Sequence, residues 1–203
     1  MRIFFNVISY IFHPIFIPVM ATMGYFLVTP RLYDRKFSID VTIAIAIFTI
    51  CIPILVFILL KRFKLIDSVF VKDVSQRKIP LYLYVLLLFL IITKVIPQSI
   101  FAELFDFFVA SLVSALICLT LVLFRVKASM HMMGISGLLM FLIVLSITYQ
   151  LNITFALSIL ILLIGLVGTS RLYLKAHTLI ELILGFFIGT IPQLLAMYDW
   201  FQS

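Results

Sequence analysis

Seven long apolar stretches dominate this chain, and they constrain its fold more than any other feature of the sequence. They cover residues 3–28, 41–60, 79–96, 104–124, 132–149, 153–169 and 178–197. Each is close to the roughly 20 apolar residues that an α-helix needs to cross the hydrocarbon core of a bilayer. Backbone groups inside a bilayer must be hydrogen-bonded within the protein, and no strand-like alternation is present. The sequence therefore predicts an all-α, polytopic transmembrane bundle of six to seven helices.

The composition leaves no polar shell for a water-soluble core. Hydrophobic residues make up 65% of the 203 residues and charged residues only 11%, whereas about 25% of a soluble domain is charged. This excludes a soluble domain, a secreted disulfide scaffold and a disordered chain. We assign the net charge of +7 to contact with the membrane surface or an anionic headgroup, and not to nucleic acid. No linker divides the chain, so we expect a single membrane domain over residues 1–203.

The basic residues are distributed unequally between the two ends of the predicted bundle. If the helices alternate in direction, one end holds the N-terminus and the segments 61–78, 125–131 and 170–177. Eleven bases fall at this end: Arg2, Lys61, Arg62, Lys64, Lys72, Arg77, Lys78, Arg125, Lys127, Arg171 and Lys175. Four fall at the other end: Arg31, Arg35, Lys36 and Lys94. Three segments that are distant in sequence thus bring bases, and also His131 and His177, to one end of the bundle.

The same distribution bears on the orientation in the membrane. Cytoplasmic loops carry an excess of Lys and Arg, so the eleven-base end is predicted to face the cytoplasm of a cell (inner) membrane. Bases that bind a phosphate would be counted in this excess. Without Lys72, Arg77, Lys127 and Arg171, the ratio falls to seven against four, so the opposite orientation, with this end outside the cytoplasm, stays open.

The segment 168–181 contains the strongest candidate for chemistry. His177 and Glu181 are four residues apart, so on a helix their side chains lie within hydrogen-bonding reach. A carboxylate that orients an imidazole is the arrangement that a nucleophilic histidine needs. Arg171 supplies a planar fork suited to phosphate oxygens. The alternative is that Arg171 and Lys175 anchor a helix at the membrane interface, with Glu181 as their ion-pair partner.

Two further segments fall at the same end. In 125–131, Ser129 is placed to cap a helix that begins near Met130, and the exposed N–H groups of such a helix favour phosphate. His131 in its first turn could protonate a leaving oxygen, or could be an ordinary interfacial histidine. In 72–80, Lys72 and Arg77 supply cations, which a positive cytoplasmic loop would also explain.

Together the three segments resemble the type 2 phosphatidic acid phosphatase superfamily, over about residues 70–190. Its signatures are Lys-x6-Arg-Pro, then Pro-Ser-Gly-His, then Ser-Arg-x5-His-x3-Asp. The third is matched by Ser170, Arg171, His177 and Glu181, with Glu in place of Asp. The second is matched by Ser129 and His131, while Ala128 and Met130 replace Pro and Gly. In the first, Lys72 and Pro80 are correctly spaced, but Ile79 stands where Arg is expected and Arg77 lies nearby.

This resemblance implies an integral-membrane, metal-independent hydrolase of lipid phosphates or lipid diphosphates that needs no cofactor. It implies that His177 attacks phosphorus to form a phosphohistidine, that Glu181 orients it and that His131 protonates the leaving oxygen. It assigns phosphate binding to Arg171, Ser129, Lys72, Arg77, Ser170 and Lys127. An isoprenoid diphosphate, phosphatidylglycerol phosphate and phosphatidic acid would all fit as substrate.

A second hypothesis follows from the departures at Ile79, Ala128 and Met130. A degenerate relative would bind or move an anionic lipid without hydrolysing it. If His131 and His177 face one cavity with Arg171, the enzyme is favoured over the binding protein.

Two features outside the signatures are interpreted as packing. His13-Pro14 lies inside the first apolar stretch and is interpreted as a packing kink rather than as a functional kink or gate. The pair Gly185-x3-Gly189 provides a small-residue face for close helix packing.

Overall fold

A computed structural model of the chain describes residues 1–31, 33–63 and 78–196. The chain is 83% helical, and its described part contains no strand. Within these described residues, seven segments are long and apolar enough to cross a membrane. The prediction of an all-α, polytopic membrane bundle is therefore confirmed, with the helix number at the upper end of the predicted range.

The first three membrane segments are interrupted helices. In the first, α1 (Arg2–Ile11) and α2 (Ile17–Val28) flank a 3-10 turn at Pro14–Phe16. In the second, α3 (Arg35–Ala46) and α4 (Ile52–Arg62) are joined by a π-helical turn at Ile47–Cys51, and in the third, α5 (Lys78–Leu90) runs into another at Ile91–Val95. Pro14 and Pro53 have no N–H to donate, which accounts for the first two interruptions.

Four uninterrupted helices complete the described bundle: α6 (Ala102–Leu123), α7 (Met130–Thr148), α8 (Thr154–Tyr173) and α9 (Leu179–Ala196). Helix α7 is the most deeply buried of the membrane segments and packs against α2, α6, α8 and α9. Large apolar side chains such as Leu27, Leu162 and Ile180 are exposed on the outer surface, where a bilayer would surround them.

The contact between α7 and α9 depends on two glycines of α9. A Cβ atom at Gly185 would collide with the carbonyl oxygen of Ser129, and one at Gly189 would collide with Met133 and Ser136. The prediction that Gly185-x3-Gly189 is a close-packing face is therefore confirmed. Because α9 lies so close, the backbone N–H of Ser129 donates to the carbonyl oxygen of Glu181 at 3.0 Å, which joins the N-terminal ends of the two helices.

A tight turn after α8 sets the start of α9. Lys175 has a φ of 52°, in the left-handed region that commonly follows a helix end. The N–H groups of Lys175 and Ala176 return to the carbonyl oxygens of Leu172 and Arg171 at 2.9 and 3.0 Å. The chain reverses within these residues, so His177 immediately follows α8 and precedes α9.

Candidate active site

A cavity of about 550 Å³ lies at the end of the bundle that holds His131 and His177. Its described lining comes from the break between α1 and α2, from α4, from the N-terminal parts of α5 and α7, and from the last turn of α8 with the loops before α7 and α9. Among the described residues, the polar ones that line it are His13, Tyr84, Lys127, His131, Arg171, Lys175 and His177. The cavity is therefore rich in imidazole rings and cationic groups, as a site for a phosphate would be.

His177 and Glu181 form the tightest polar contact in the site. Nδ1 of His177 lies 2.6 Å from Oε2 of Glu181, so the predicted pairing of these two residues is confirmed. A carboxylate only accepts hydrogen bonds, so Nδ1 carries the proton and the lone pair of the neutral ring is on Nε2. The imidazole is buried, which keeps it in one orientation at the cavity wall.

The same carboxylate caps α9. The backbone N–H of Thr178 donates to Oε2 of Glu181 at 3.4 Å, and the N–H of Glu181 donates to Oγ1 of Thr178 at 3.3 Å. This reciprocal pair is a capping box, for which the sequence signal is Thr-x-x-Glu. This signal identifies Thr178 as the residue that fixes Glu181.

Lys127 supports Glu181 from the other side. Its ammonium lies 3.6 Å from Oε2 of Glu181 and donates to the carbonyl oxygen of Ala176 at 2.8 Å. Lys127 also lines the cavity. The structure thus places this predicted phosphate ligand against the carboxylate that holds His177, where it contributes positive charge to the cavity.

His131 lies in the first turn of α7 and lines the cavity. Its Nε2 is 3.1 Å from the backbone carbonyl oxygen of Ser9, in α1. Ser129 caps this helix as predicted, because its hydroxyl accepts the N–H of Met132 at 3.4 Å. The Ser129 side chain is buried behind the cavity wall, and its contact with phosphate stays a prediction.

Arg171 is held by α1. Its Nη1 donates to Oγ of Ser9 at 3.2 Å. Oγ of Ser170 donates to the carbonyl oxygen of Phe5 at 2.8 Å and lies 2.7 Å from Oγ of Ser9. Ser170 is therefore a buried link between α1 and α8 and not a residue of the cavity wall. Its role as a phosphate ligand stays a prediction.

His13 is the residue that sequence reasoning missed. It lines the cavity, and its ring meets the ring of His131 edge to face, with centroids 5.3 Å apart and planes at 83°. The interpretation of His13-Pro14 as a packing kink is therefore incomplete. The signal was a polar residue next to proline inside an apolar stretch, but nothing in the sequence indicated that His131 was its neighbour.

Apart from Tyr84, the rest of the described cavity wall is apolar. Its side chains come from α4, α5 and the 3-10 turn, and they include Ile15, Pro53, Phe57, Pro80 and Leu83. The cavity therefore has a cationic, histidine-rich part and a hydrocarbon part. A ligand that fits both would carry an anionic group and an apolar chain.

The predicted residues separate into three groups. His177, His131, Arg171 and Lys127 meet at the cavity, with Glu181 in contact with His177 and Lys127. Ser129 and Ser170 are buried behind it. Lys72 and Arg77 lie outside the described residues. Among the residues that the structure describes, no group of three or more His, Cys, Asp or Glu side chains could hold a metal ion.

Comparison of the chain with protein-family models, with curated proteins and with solved structures finds no match. The interpretation of this site therefore depends on its own geometry and on the spacing of its residues in the sequence.

Proposed function

We propose that this multi-pass membrane protein is a metal-independent phosphatase of lipid phosphates or diphosphates that acts through a phosphohistidine at His177. One observation carries the proposal. The imidazole of His177 is oriented by Glu181 at 2.6 Å in a cavity that it shares with His131 and Arg171. The resemblance of these residues to the type 2 phosphatidic acid phosphatase signatures supplies the reaction class.

The chemistry begins with a nucleophile on the neutral ring of His177. Since Nδ1 faces the carboxylate, Nε2 attacks phosphorus, and the bond from phosphorus to the lipid oxygen breaks. Glu181 stabilises the positive charge that develops on the ring. Arg171 and the cations of the cavity wall stabilise the charge on the phosphoryl oxygens. His131 protonates the lipid oxygen as it leaves.

The shape of the cavity supports a lipid substrate. Its cationic part holds the imidazoles and the guanidinium, and its apolar wall is built from α4 and α5. A lipid phosphate places an anion and a hydrocarbon chain next to each other in the same way. Phosphatidic acid, phosphatidylglycerol phosphate and an isoprenoid diphosphate remain the three candidates.

The test is phosphate release by the purified protein in detergent without divalent metal, measured with the three candidate substrates. We expect turnover that EDTA leaves unchanged and that His177→Ala abolishes. Lys94→Ala is the matched control, because Lys94 lies at the opposite end of the bundle. Activity that EDTA removes and that survives His177→Ala would contradict the mechanism.

A second candidate function is binding or transport of an anionic lipid without hydrolysis. The departures at Ile79, Ala128 and Met130 favour it, as does the engagement of Lys127 with Glu181 and Ala176. A binding protein would retain lipid phosphate through purification and release no inorganic phosphate. Arg171→Ala would then reduce retention, whereas His177→Ala would have little effect.

A further inference from the structure

The first membrane segment contains a backbone carbonyl that the helix does not use. In a continuous α-helix the carbonyl oxygen of Ser9 would accept the N–H of His13. That N–H donates instead to the carbonyl oxygen of Tyr10, at 3.2 Å. The next residue is Pro14, which has no N–H to offer Tyr10. The break between α1 and α2 therefore releases the carbonyl group of Ser9 from the helix.

This carbonyl group receives His131. Nε2 of His131 lies 3.1 Å from the Ser9 oxygen. Since a carbonyl oxygen only accepts, Nε2 must carry a proton, and in the neutral ring the lone pair is on Nδ1. His131 and His177 are thus held in opposite tautomers, because the carboxylate of Glu181 accepts a hydrogen bond from the Nδ1–H of His177.

The side chain of Ser9 fixes a second group of the site. The only proton of the Ser170 hydroxyl goes to the carbonyl oxygen of Phe5, so the Ser9 hydroxyl donates to Ser170 at 2.7 Å. The Ser9 oxygen then accepts from Nη1 of Arg171 at 3.2 Å. One buried residue of α1 therefore holds His131 through its backbone and Arg171 through its side chain.

His13 completes the arrangement. Its Nδ1 accepts the backbone N–H of Ile15 at 3.4 Å, which caps the 3-10 turn. Its ring lies against the ring of His131, with centroids 5.3 Å apart. The break thus places the carbonyl oxygen of Ser9 within hydrogen-bonding distance of Nε2 of His131 and the ring of His13 beside the His131 ring.

We propose that the break at His13-Pro14 is a positioning device for proton transfer, in which Ser9 and His13 hold His131 so that Nδ1 is its working nitrogen. The proposal rests on the proposed phosphatase function. It adds the first membrane segment to the site and assigns the proton to one atom.

Nδ1 of the neutral His131 ring first takes the proton of the bound phosphate monoanion. Nε2 of His177 then attacks phosphorus and the bond to the lipid oxygen breaks, while that oxygen takes the proton from Nδ1 of the His131 imidazolium. The neutral Nδ1 then takes a proton from a water molecule, whose oxygen attacks the phosphohistidine. The bond from phosphorus to His177 breaks, phosphate takes the proton from Nδ1 of His131 as it leaves, and both rings return to their neutral starting states.

The first experiment compares two substrates in Pro14→Ala. Alanine restores an N–H at position 14, which lets the helix continue and recapture the Ser9 carbonyl group through the N–H of His13. Dodecyl phosphate releases an alkoxide that needs a proton, whereas 4-nitrophenyl phosphate releases a stable phenolate. Because a general acid contributes roughly 10²–10⁴-fold, we expect kcat for dodecyl phosphate to fall at least about tenfold and kcat for 4-nitrophenyl phosphate to change little.

A double variant distinguishes the loss of His131 positioning from a general loss of activity. In the His131→Ala background, Pro14→Ala should cause no further selective loss on dodecyl phosphate, since the group that it positions is absent. Equal losses on both substrates, or a selective loss that persists without His131, would overturn the proposal.

The second experiment determines the histidine tautomers by NMR and does not depend on enzymatic activity. The protein has three histidines, so ¹⁵N-histidine labelling gives three rings, and the His131 signals are assigned by their loss in His131→Asn. We expect a neutral His131 with its proton on Nε2 and a His177 with its proton on Nδ1. A proton on Nδ1 of neutral His131 overturns the proposal even if Pro14→Ala does not fold. If the wild-type protein hydrolyses neither substrate, the phosphatase function fails together with the proton-transfer role.

Discussion

Glu181 both caps the start of α9 and contacts His177 in the candidate site. One carboxylate accepts the N–H of Thr178, orients His177 and pairs with Lys127. A capping box prefers Glu or Gln at its last position, which gives a physical reason for Glu where the resembled signature has Asp. The side chain that stabilises the start of α9 is therefore the same one that orients the imidazole of His177.

Replacement of Glu181 by Gln should separate these two roles. The amide oxygen can still accept the N–H of Thr178, so the helix end stays capped, but the amide cannot stabilise an imidazolium. We expect kcat to fall by about 10²–10⁴-fold, as for loss of the carboxylate in a catalytic triad, with little change in the melting temperature.

Thr178→Ala is the control for that variant. It removes the hydroxyl that accepts the N–H of Glu181 and should cost about 1 kcal/mol of stability, with a much smaller loss of kcat. Similar losses of kcat in the two variants would show that Glu181 acts only as a cap.

Among the contacts of individual residues, those between residues close in sequence were the predictable ones. The pairing of His177 with Glu181 follows from a spacing of four residues, and the Ser129 cap follows from its place before a helix. The contact of His131 with Ser9 spans 122 residues and uses a backbone carbonyl, so no pattern of side chains could have indicated it. His13 escaped prediction for the same reason.

Helices α7 and α9 form the element pair on which the site depends. The first carries His131 and the second carries Glu181, and the hydrogen bond from Ser129 to Glu181 joins their ends. The distance between the helices is set by glycines, since a Cβ atom at Gly185 would collide with Ser129. The site geometry is therefore determined partly by residues without side chains.

Gly185→Ala should push the two helices apart at the site. Overpacking of this kind costs about 1–3 kcal/mol, and we expect a lower melting temperature in detergent together with a loss of activity. Gly165→Ala is a matched control, because a Cβ atom there would meet nothing within 4 Å. Alanine at position 165 should raise stability by about 0.5–1 kcal/mol. A Gly185→Ala protein as stable and active as wild type would contradict this account.

The positions of the membrane segments were predictable, but one of their interruptions was not. Hydropathy predicted a helix over residues 79–96, and the structure places the third segment at Lys78–Val95. Pro53 gives a sequence signal for the π-helical turn before it. The π-helical turn at Ile91–Val95 contains no proline, and its apolar sequence reads as regular helix.

The two ends of the whole bundle have different polar chemistry. Opposite the cavity, the buried carboxylate of Glu103 accepts from Arg31 at 2.9 Å, from Tyr25 at 3.1 Å and from Tyr149. Burial raises the pKa of the Tyr149 hydroxyl above its ordinary value, and the hydrogen bond to Glu103 raises it further. The hydroxyl stays protonated below pH 10 and contributes stability there, which is lost only as the pH rises through the raised value.

Glu103→Ala should destabilise the protein without changing its chemistry. The substitution leaves the buried Tyr25 hydroxyl and the partly buried Tyr149 hydroxyl without their carboxylate acceptor. The Arg31 side chain is 41% exposed, so solvent can hydrate its guanidinium. A buried polar group left without a partner costs about 1–3 kcal/mol, so we expect a lower melting temperature. The KM and kcat of the protein that remains folded should equal those of wild type, and a selective change in kcat would show that this cluster takes part in the site.

The charge bias predicts that the site faces the cytoplasm, and this prediction can be tested alone. Arg62 and Lys36 lie at opposite ends of the second membrane segment. Single cysteines at these positions, after replacement of Cys51 and Cys118, report the two faces in intact cells. A cytoplasmic site predicts that an impermeant reagent labels position 36 and not position 62. The reverse pattern would place the cavity outside the cytoplasm and leave the mechanism unchanged.

The central claim is that His177 carries the phosphoryl group, and a covalent trap tests it most directly. The protein is mixed with ³²P-labelled lipid phosphate and quenched in alkali, in which a phosphohistidine survives, and the labelled peptide is sequenced. We predict acid-labile label on Nε2 of His177, none in His177→Ala, and reduced label in Glu181→Gln. Turnover of the lipid with no label on His177, or with label on another residue, would contradict the account.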